Sequence, residues 1–365
     1  MRGVARTTGV WLMAALLTTL LSGCASLGYL AHTVGGHLDL LQRARPVDDW
    51  LADPGTPPVL REQLSQAQQL RTFAVQTLHL PDGASYRRHA QIDRPAVVWN
   101  VVATPELSLE LKTWWVPVAG RVAYRGHFDR ERAQALAERL RSQRLDVHVY
   151  GVPAYSTLGR TDWLGGDPLL STFVHWPQTE LARLLFHEMA HQVVYVRDDT
   201  AFNESYATAV ERLGLQRWLA QAGPDVVADH AAREARREDF RRLTRQARQA
   251  LDALYRSSAD DATKRQGKAD VLAALRAEHA ALKAGPWAGH DGLDPWFAQA
   301  NNAALAVLGA YDDLVPEFIA LFEREGADFQ RFHAAVRRLA ALPREQRRQA
   351  LQVAPKTSTI SEIRR

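Results

Sequence analysis

The segment His187-Glu188-Met189-Ala190-His191 places two imidazoles four residues apart. On an α-helix that spacing sets both rings on one face, one turn apart, where they can hold a single metal ion. Glu188, next to the first histidine, falls beside the ion rather than on it, where it can take a proton from a metal-bound water. A further acidic residue follows at Asn203-Glu204. With His187, His191 and Glu204 as ligands, a fourth position stays open for water, the arrangement of a catalytic rather than a structural zinc. One Zn2+ so held would lower the pKa of its water toward about 7 and polarise a carbonyl. Zinc, rather than manganese or cobalt, is the chemical expectation for two histidines and a carboxylate. The bland reading of the same residues is a solvated face of a surface helix.

Flanking elements decide between these. Thr179 to Phe186 is helix-forming, with apolar residues at helical spacing and Thr179 available as a cap. Arg197-Asp198-Asp199-Thr200 offers a turn and a cap, and Asn203 to Leu219 reads as a second helix. The second helix can then fold back and present Glu204 to the two histidines. Glu211, seven residues further and so on the same face, either orients a ligand from behind or is the third ligand itself; Glu204, nearer the turn, is the better ligand.

HEMAH followed by FNESYATAVE is similar to the gluzincin metallopeptidases, in which a glutamate of a downstream Asn-Glu helix is the third zinc ligand. The gap from His191 to Glu204 is shorter than in the thermolysin and M1 aminopeptidase groups. The chain looks more like a bacterial family of zinc aminopeptidases, often lipoproteins, which it resembles in VVWNVVATPELSL, PVAGRVAYRGHF, VPAYSTLG, DPLLSTFV and the late NNAALAVLGAYDDLVPEF. The resemblance implies a peptide or protein substrate. The M1-type GAMEN segment that anchors a free amine is not present; Glu106 and Glu110 are the hypothetical sources of such an anchor here.

At the amino terminus, Arg2 and Arg6 precede an apolar run from Val10 to Leu21, closed by Leu21-Ser22-Gly23-Cys24. The run is too short to span a bilayer comfortably and reads as a secretory signal. The small residues before Cys24 resemble a bacterial lipobox, which implies lipidation of Cys24 and a protein tethered in the cell envelope. Ala25 after the cysteine suggests the outer membrane, facing the periplasm. Cys24 is the only cysteine, so no intramolecular disulfide can form.

A formal charge of +4 falls to about +2 once residues 1–23, with two arginines and no acid, are set aside. A pI near 9.3 therefore reflects abundant arginine in a nearly balanced chain and does not argue for nucleic acid. The pair Trp114-Trp115 reads as packing rather than ligand recognition.

The elements predict an α+β fold dominated by helices: a small sheet ahead of a zincin-type metal helix, then a mostly helical C-terminal region. Expected helices are Pro57–Leu78, Asp129–Arg144, the hairpin Asp225–Tyr255 with Ala262–Lys283, Trp296–Tyr311 and Val315–Arg324; Tyr29–Leu41 continues from the membrane surface as another. Expected strands are Pro95–Ala103, Trp114–Val118, Val122–Tyr124, Asp146–Tyr150 and Leu169–Val174, the last either lining the bound peptide or an ordinary core strand. The organisation expected is a signal peptide over 1–23, an N-terminal helical segment over 24–92, a zincin-like catalytic region over 93–222, a helical region over 223–355 and a disordered tail over 356–365.

Peptide hydrolysis passes through an oxyanion that usually draws a Tyr, His or Arg donor besides the metal. Tyr311 is the first candidate, followed by Tyr155 and His290; Tyr206, two positions from Glu204, should face away. The function these residues predict is a zinc metallopeptidase acting as an aminopeptidase. An envelope endopeptidase, or a non-catalytic envelope lipoprotein whose zinc only pins two helices, are the alternatives.

Overall fold

A computed structural model describes residues 39–116, 120–154, 166–309 and 314–352. Cys24, Tyr155, Tyr311, the signal segment and the expected tail lie outside them. Strands and helices follow in the order β1 (Arg45–Pro46), α1 (Val47–Ala52), α2 (Pro58–Gln76), β2 (Arg88–Ala90), β3 (Val98–Pro105), β4 (Trp114–Val116), β5 (Gly120–Val122), β6 (Arg125–His127), α3 (Arg130–Ser142), β7 (Leu145–Val152) and β8 (Leu169–Leu170). The chain is helical thereafter: α4 (Gln178–His191), α5 (Thr200–Leu219), α6 (Pro224–Arg256), α7 (Asp261–Ala284), α8 (Asp294–Gln299), α9 (Asn302–Leu308), α10 (Val315–Arg324), α11 (Phe329–Ala340) and α12 (Arg344–Gln352). The fold is α+β with helices dominant, as the sequence predicts.

One sheet has the order β6-β3-β7, with β3 antiparallel to both neighbours. Alternation along β3 sends Val101 and Ala103 to one face, where Val147 of β7 and Ala133, Leu136, Ala137 and Leu140 of α3 close a small core. Asp129 caps α3 by accepting from the Arg132 N–H. A second sheet, β1-β2-β8, ties the N-terminal segment to the chain just before α4, with β2 and β8 parallel. Gly166, at φ +68°, lets the two stretches cross, since a Cβ there would stand 2.4 Å from the Ser85 nitrogen.

The main core gathers α2, β8, α4, α5 and α10 to α12 around Phe173, Phe186, Phe202, Tyr206, Phe318 and Phe332. A separate core, with Leu243, Leu251, Leu275, Trp287 and Phe297, fills the space between α6, α7, α8 and α9. The long hairpin of α6 and α7 turns at 257–260, where Asp260 caps α7.

Five expectations need correction. The strand expected over Val122–Tyr124 falls where the chain bends between β5, which ends at Val122, and β6, which begins at Arg125. The strand expected over Leu169–Val174 ends at Leu170, because the Ser171 hydroxyl engages both the N–H and the carbonyl of Ile92 and Thr172 donates to the Pro153 carbonyl, which bends the chain. Thr179 is no cap: Pro177 precedes the first helical residue, and the Thr179 hydroxyl lies buried inside α4 without a partner among the described residues. The helix expected from Trp296 breaks at Ala300-Asn301, where Ala300 is extended and Asn301 caps α9 by accepting from the Ala304 N–H. Of the tryptophan pair, Trp114 packs on the small sheet core but Trp115 is 73% exposed.

Burial has a consequence for pH. His89, His148 and His333 lie in the interior, and burial pushes each imidazole down to about 4. Above about pH 6.5 both folded and unfolded chains hold them neutral. Between 6.5 and 4 the unfolded chain takes up protons that the folded chain refuses, so stability falls with falling pH, by up to roughly 3 kcal/mol for each residue. Urea midpoints measured at several pH values in the presence of a chelator should drop steeply from pH 6.5 to 4.5. A flat profile there would contradict the assignment.

Candidate metal centre

Helix α4 has two stripes. Leu181, Ala182, Leu185, Phe186, Met189 and Ala190 are buried in the main core. The opposite stripe carries Glu180, Arg183, His187 and Glu188, with His191 at the end of the helix. Helix α5 returns across this stripe. Asp199 caps it, and the Asn203 amide clamps the intervening loop, accepting from the Val196 N–H at 2.8 Å and donating to the Val196 carbonyl at 2.7 Å. That clamp places the neighbouring Glu204 over the histidines. Gly214 permits the close packing of α5 on α4 and on the chain just past the end of α2, since a Cβ there would meet Phe186 at 3.0 Å and Leu78 at 2.6 Å.

His187, His191 and Glu204 each offer a ligand atom, and those atoms all lie within 4.8 Å of one another. Glu204 stands 3.3 Å from His187 Nε2 and 3.7 Å from His191 Nε2. Ligands about 2.0–2.1 Å from a tetrahedral zinc are separated by about 3.3 Å, so the two distances to Glu204 suit such an ion. The rings stand nearly perpendicular, with centroids 4.9 Å apart. His187 and Glu204 keep 18% and 24% of their side-chain surface exposed, so the group is reachable from outside.

Charge points the same way. Burial opposes protonation of His187, but its hydrogen bonds to Glu204 and Glu211 prevail and push its pKa up to about 10. The protonated ring is then the cation between two carboxylates, and a divalent ion in place of the Nε2 proton answers the same field. Burial, and then the His187 charge, drive His191 down to about 4, so the ring is neutral and one of its nitrogens carries a lone pair open to a metal. Burial also opposes ionisation of Glu204 and Glu211, yet hydrogen bonds from His187 hold both carboxyls below the usual range.

Glu211 accepts from His187 Nδ1 at 3.2 Å and is paired with Arg183. Glu211 thus meets the Nδ1 side of the His187 ring and Glu204 the Nε2 side. Tyr206 faces the core, where its hydroxyl meets His333 Nδ1 at 2.8 Å and His333 Nε2 donates to the Leu78 carbonyl. His290 is exposed in the loop between α7 and α8. Glu106 is engaged by the long hairpin: its carboxylate accepts from Nε and Nη2 of Arg265, at 3.0 Å each, and its carbonyl accepts from Lys268 and Asn302.

Sequence reasoning missed two features. Burial, and then the negative charges of Glu188 and Asp167, hold the Tyr86 phenol well above its usual value, so a protonated hydroxyl lies within the field of Glu188. Tyr86 is fully buried at φ +65°, and its N–H donates to the Asp167 carbonyl at 2.7 Å. The second is the set of ion pairs around Arg183. Glu180 and Arg183, charged residues on the histidine stripe of an otherwise apolar helix, were the available signal.

A helix-dominated α+β fold with a His-His-Glu group carried on two antiparallel helices defines a protein able to bind a metal ion at that group. Residues 28–351 match the family described as "Putative aminopeptidase", and the chain belongs to that family. No curated protein and no solved structure matches it. Among the described residues no helix is long and apolar enough to cross a membrane.

Proposed function

We propose that the chain is a zinc-dependent peptidase that removes N-terminal residues from peptides, using His187, His191 and Glu204 as ligands and Glu188 as the base. The observation that carries this reading is the convergence of those three donors within 4.8 Å of one another, with Glu188 on the same stripe of the same helix. An ion held there would supply Lewis-acid activation of water and polarise the scissile carbonyl. Glu188 follows His187 by one residue, about 100° around the helix, so its carboxylate stands beside the ligand set. There it accepts the proton of the attacking water and passes it to the leaving amine. Glu211 fixes the His187 ring by accepting its Nδ1–H, which would leave Nε2 to hold an ion. Tyr311 stays the proposed oxyanion donor on the sequence resemblance alone. The lipobox-like segment supports attachment through Cys24 to the outer membrane, facing the periplasm.

The test is zinc stoichiometry by elemental analysis on the soluble chain beginning after Cys24, beside the His191→Ala variant, with free-amine and amino-blocked peptides assayed on the same samples. One zinc per chain that disappears in the variant, with cleavage confined to free-amine peptides, is expected. Cleavage of blocked peptides would redirect the reading to an endopeptidase. Stoichiometric zinc without cleavage would make the site structural, and a folded chain without zinc would end the metallopeptidase reading.

A further inference from the structure

The stripe of α4 that ends in the histidines begins with two residues bound to another helix. Arg183 Nη1 donates to Glu234 of α6 at 2.9 Å, while its Nη2 engages Glu211. Glu234 is itself gripped by Arg237 at 2.7 Å and by Arg241, and Arg237 reaches back to Glu180 of α4 at 2.8 Å. The contacts form an unbroken line: Glu234, Arg183, Glu211, His187 Nδ1.

Each member removes a freedom of the next. The His187 ring turns about its own axis unless Nδ1–H has a fixed acceptor, and the Glu211 carboxylate turns unless a fork holds it. The planar guanidinium of Arg183 supplies that fork, because its two amino ends are directed at fixed angles to two different carboxylates. Arg183 and Glu211 are 17% and 11% exposed, so water competes weakly for these bonds. Without Glu234, one end of Arg183 is free to swing toward solvent. The far part of the same hairpin is moored to the small sheet by Arg265 on Glu106 and by Lys268 on Asp146 at 2.7 Å. The hairpin is thus fastened at both ends, and Glu234 stands on a fixed support.

We infer that Glu234, on a helix that contributes no metal ligand, is a positioning residue for the metal centre, acting on His187 through Arg183 and Glu211. The inference rests on the metal reading proposed above but not on peptidase activity.

Zinc affinity, measured by competition with a chromophoric chelator, tests it. Glu234→Gln is expected to weaken zinc binding on the order of 10-fold, the lower end of what outer partners of metal ligands contribute. In a Glu211→Gln background, where the line is already cut, the same change should alter affinity by less than about twofold. Glu238→Gln makes the same charge change one turn along α6 on a 65% exposed side chain, and should leave affinity unchanged. Should Glu234→Gln fail to fold, Arg183→Lys, which keeps the charge and loses the fork, is expected to show the same loss. Unchanged affinity in Glu234→Gln, an equal loss in both backgrounds, or an equal loss in Glu238→Gln would overturn the inference. A wild-type chain that binds no zinc would instead remove the metal reading beneath it.

Discussion

Glu188→Gln is expected to lower peptide hydrolysis by about 10²–10⁴-fold, the range contributed by a positioned general base, with zinc content unchanged. The amide matches the carboxylate in size and keeps a hydrogen-bonding oxygen, so α4 has no reason to rearrange. It cannot accept the water proton at neutral pH. Because Glu188 lies outside the ligand group of His187, His191 and Glu204, the ion should stay bound. The measurement is kcat on a free-amine peptide beside elemental analysis of the same protein. Activity within tenfold of wild type would show that another group is the base, whereas loss of zinc would show that Glu188 helps to hold the ion. A protein whose zinc serves only to pin two helices has no activity for this substitution to remove.

The second large effect concerns a buried pair that ties the start of α5 to α12, 148 residues further along the chain. Arg347 of α12 is bound to Asp199, the residue that caps α5, and both side chains are buried, 6% and 2% exposed. The guanidinium also lies 5.1 Å from the centre of the Phe202 ring and donates to the Leu342 carbonyl at 2.9 Å. Removing one member of a buried pair strands the other charge, at a cost of about 3–5 kcal/mol. Arg347→Ala is therefore expected to lower stability by that amount in urea unfolding. The zinc content of the remaining folded protein should fall as well, because Glu204 lies in the first turns of the helix that Asp199 begins. The double variant Asp199→Ser, Arg347→Met leaves no charge buried and keeps a capping hydroxyl, and should regain most of the loss. Loss below about 1 kcal/mol in Arg347→Ala would mean that Asp199 finds solvent or another partner.

What could be read ahead of the structure was what is local. Histidines at i and i+4 share a face wherever a helix forms, and Asp199 announces the start of the next helix, so the Glu204 group follows from short-range geometry. The turn at 257–260 was equally plain, because helical composition on both sides gives way there to small and polar residues. Strands β1 and β2, of two and three residues, are too short to display alternation. Ser171 and Thr172 look like strand residues until their hydroxyls find the Ile92 and Pro153 backbone. Pairs such as Arg183 with Glu234 or Arg265 with Glu106 join residues 51 and 159 positions apart, and no local pattern records them.

The two helices of the metal group are neighbours along the chain. His187 and Glu204 are only 17 residues apart, whereas the hairpin reaches the sheet through contacts such as that between Arg265 and Glu106, 159 residues apart. Closing the shorter loop costs about 2 kcal/mol less chain entropy. The ligand set is therefore among the first long-range features the chain can form. An ion captured at that stage would hold α4 and α5 together before the sheet and hairpin close around them, making the metal a participant in folding order as well as in chemistry.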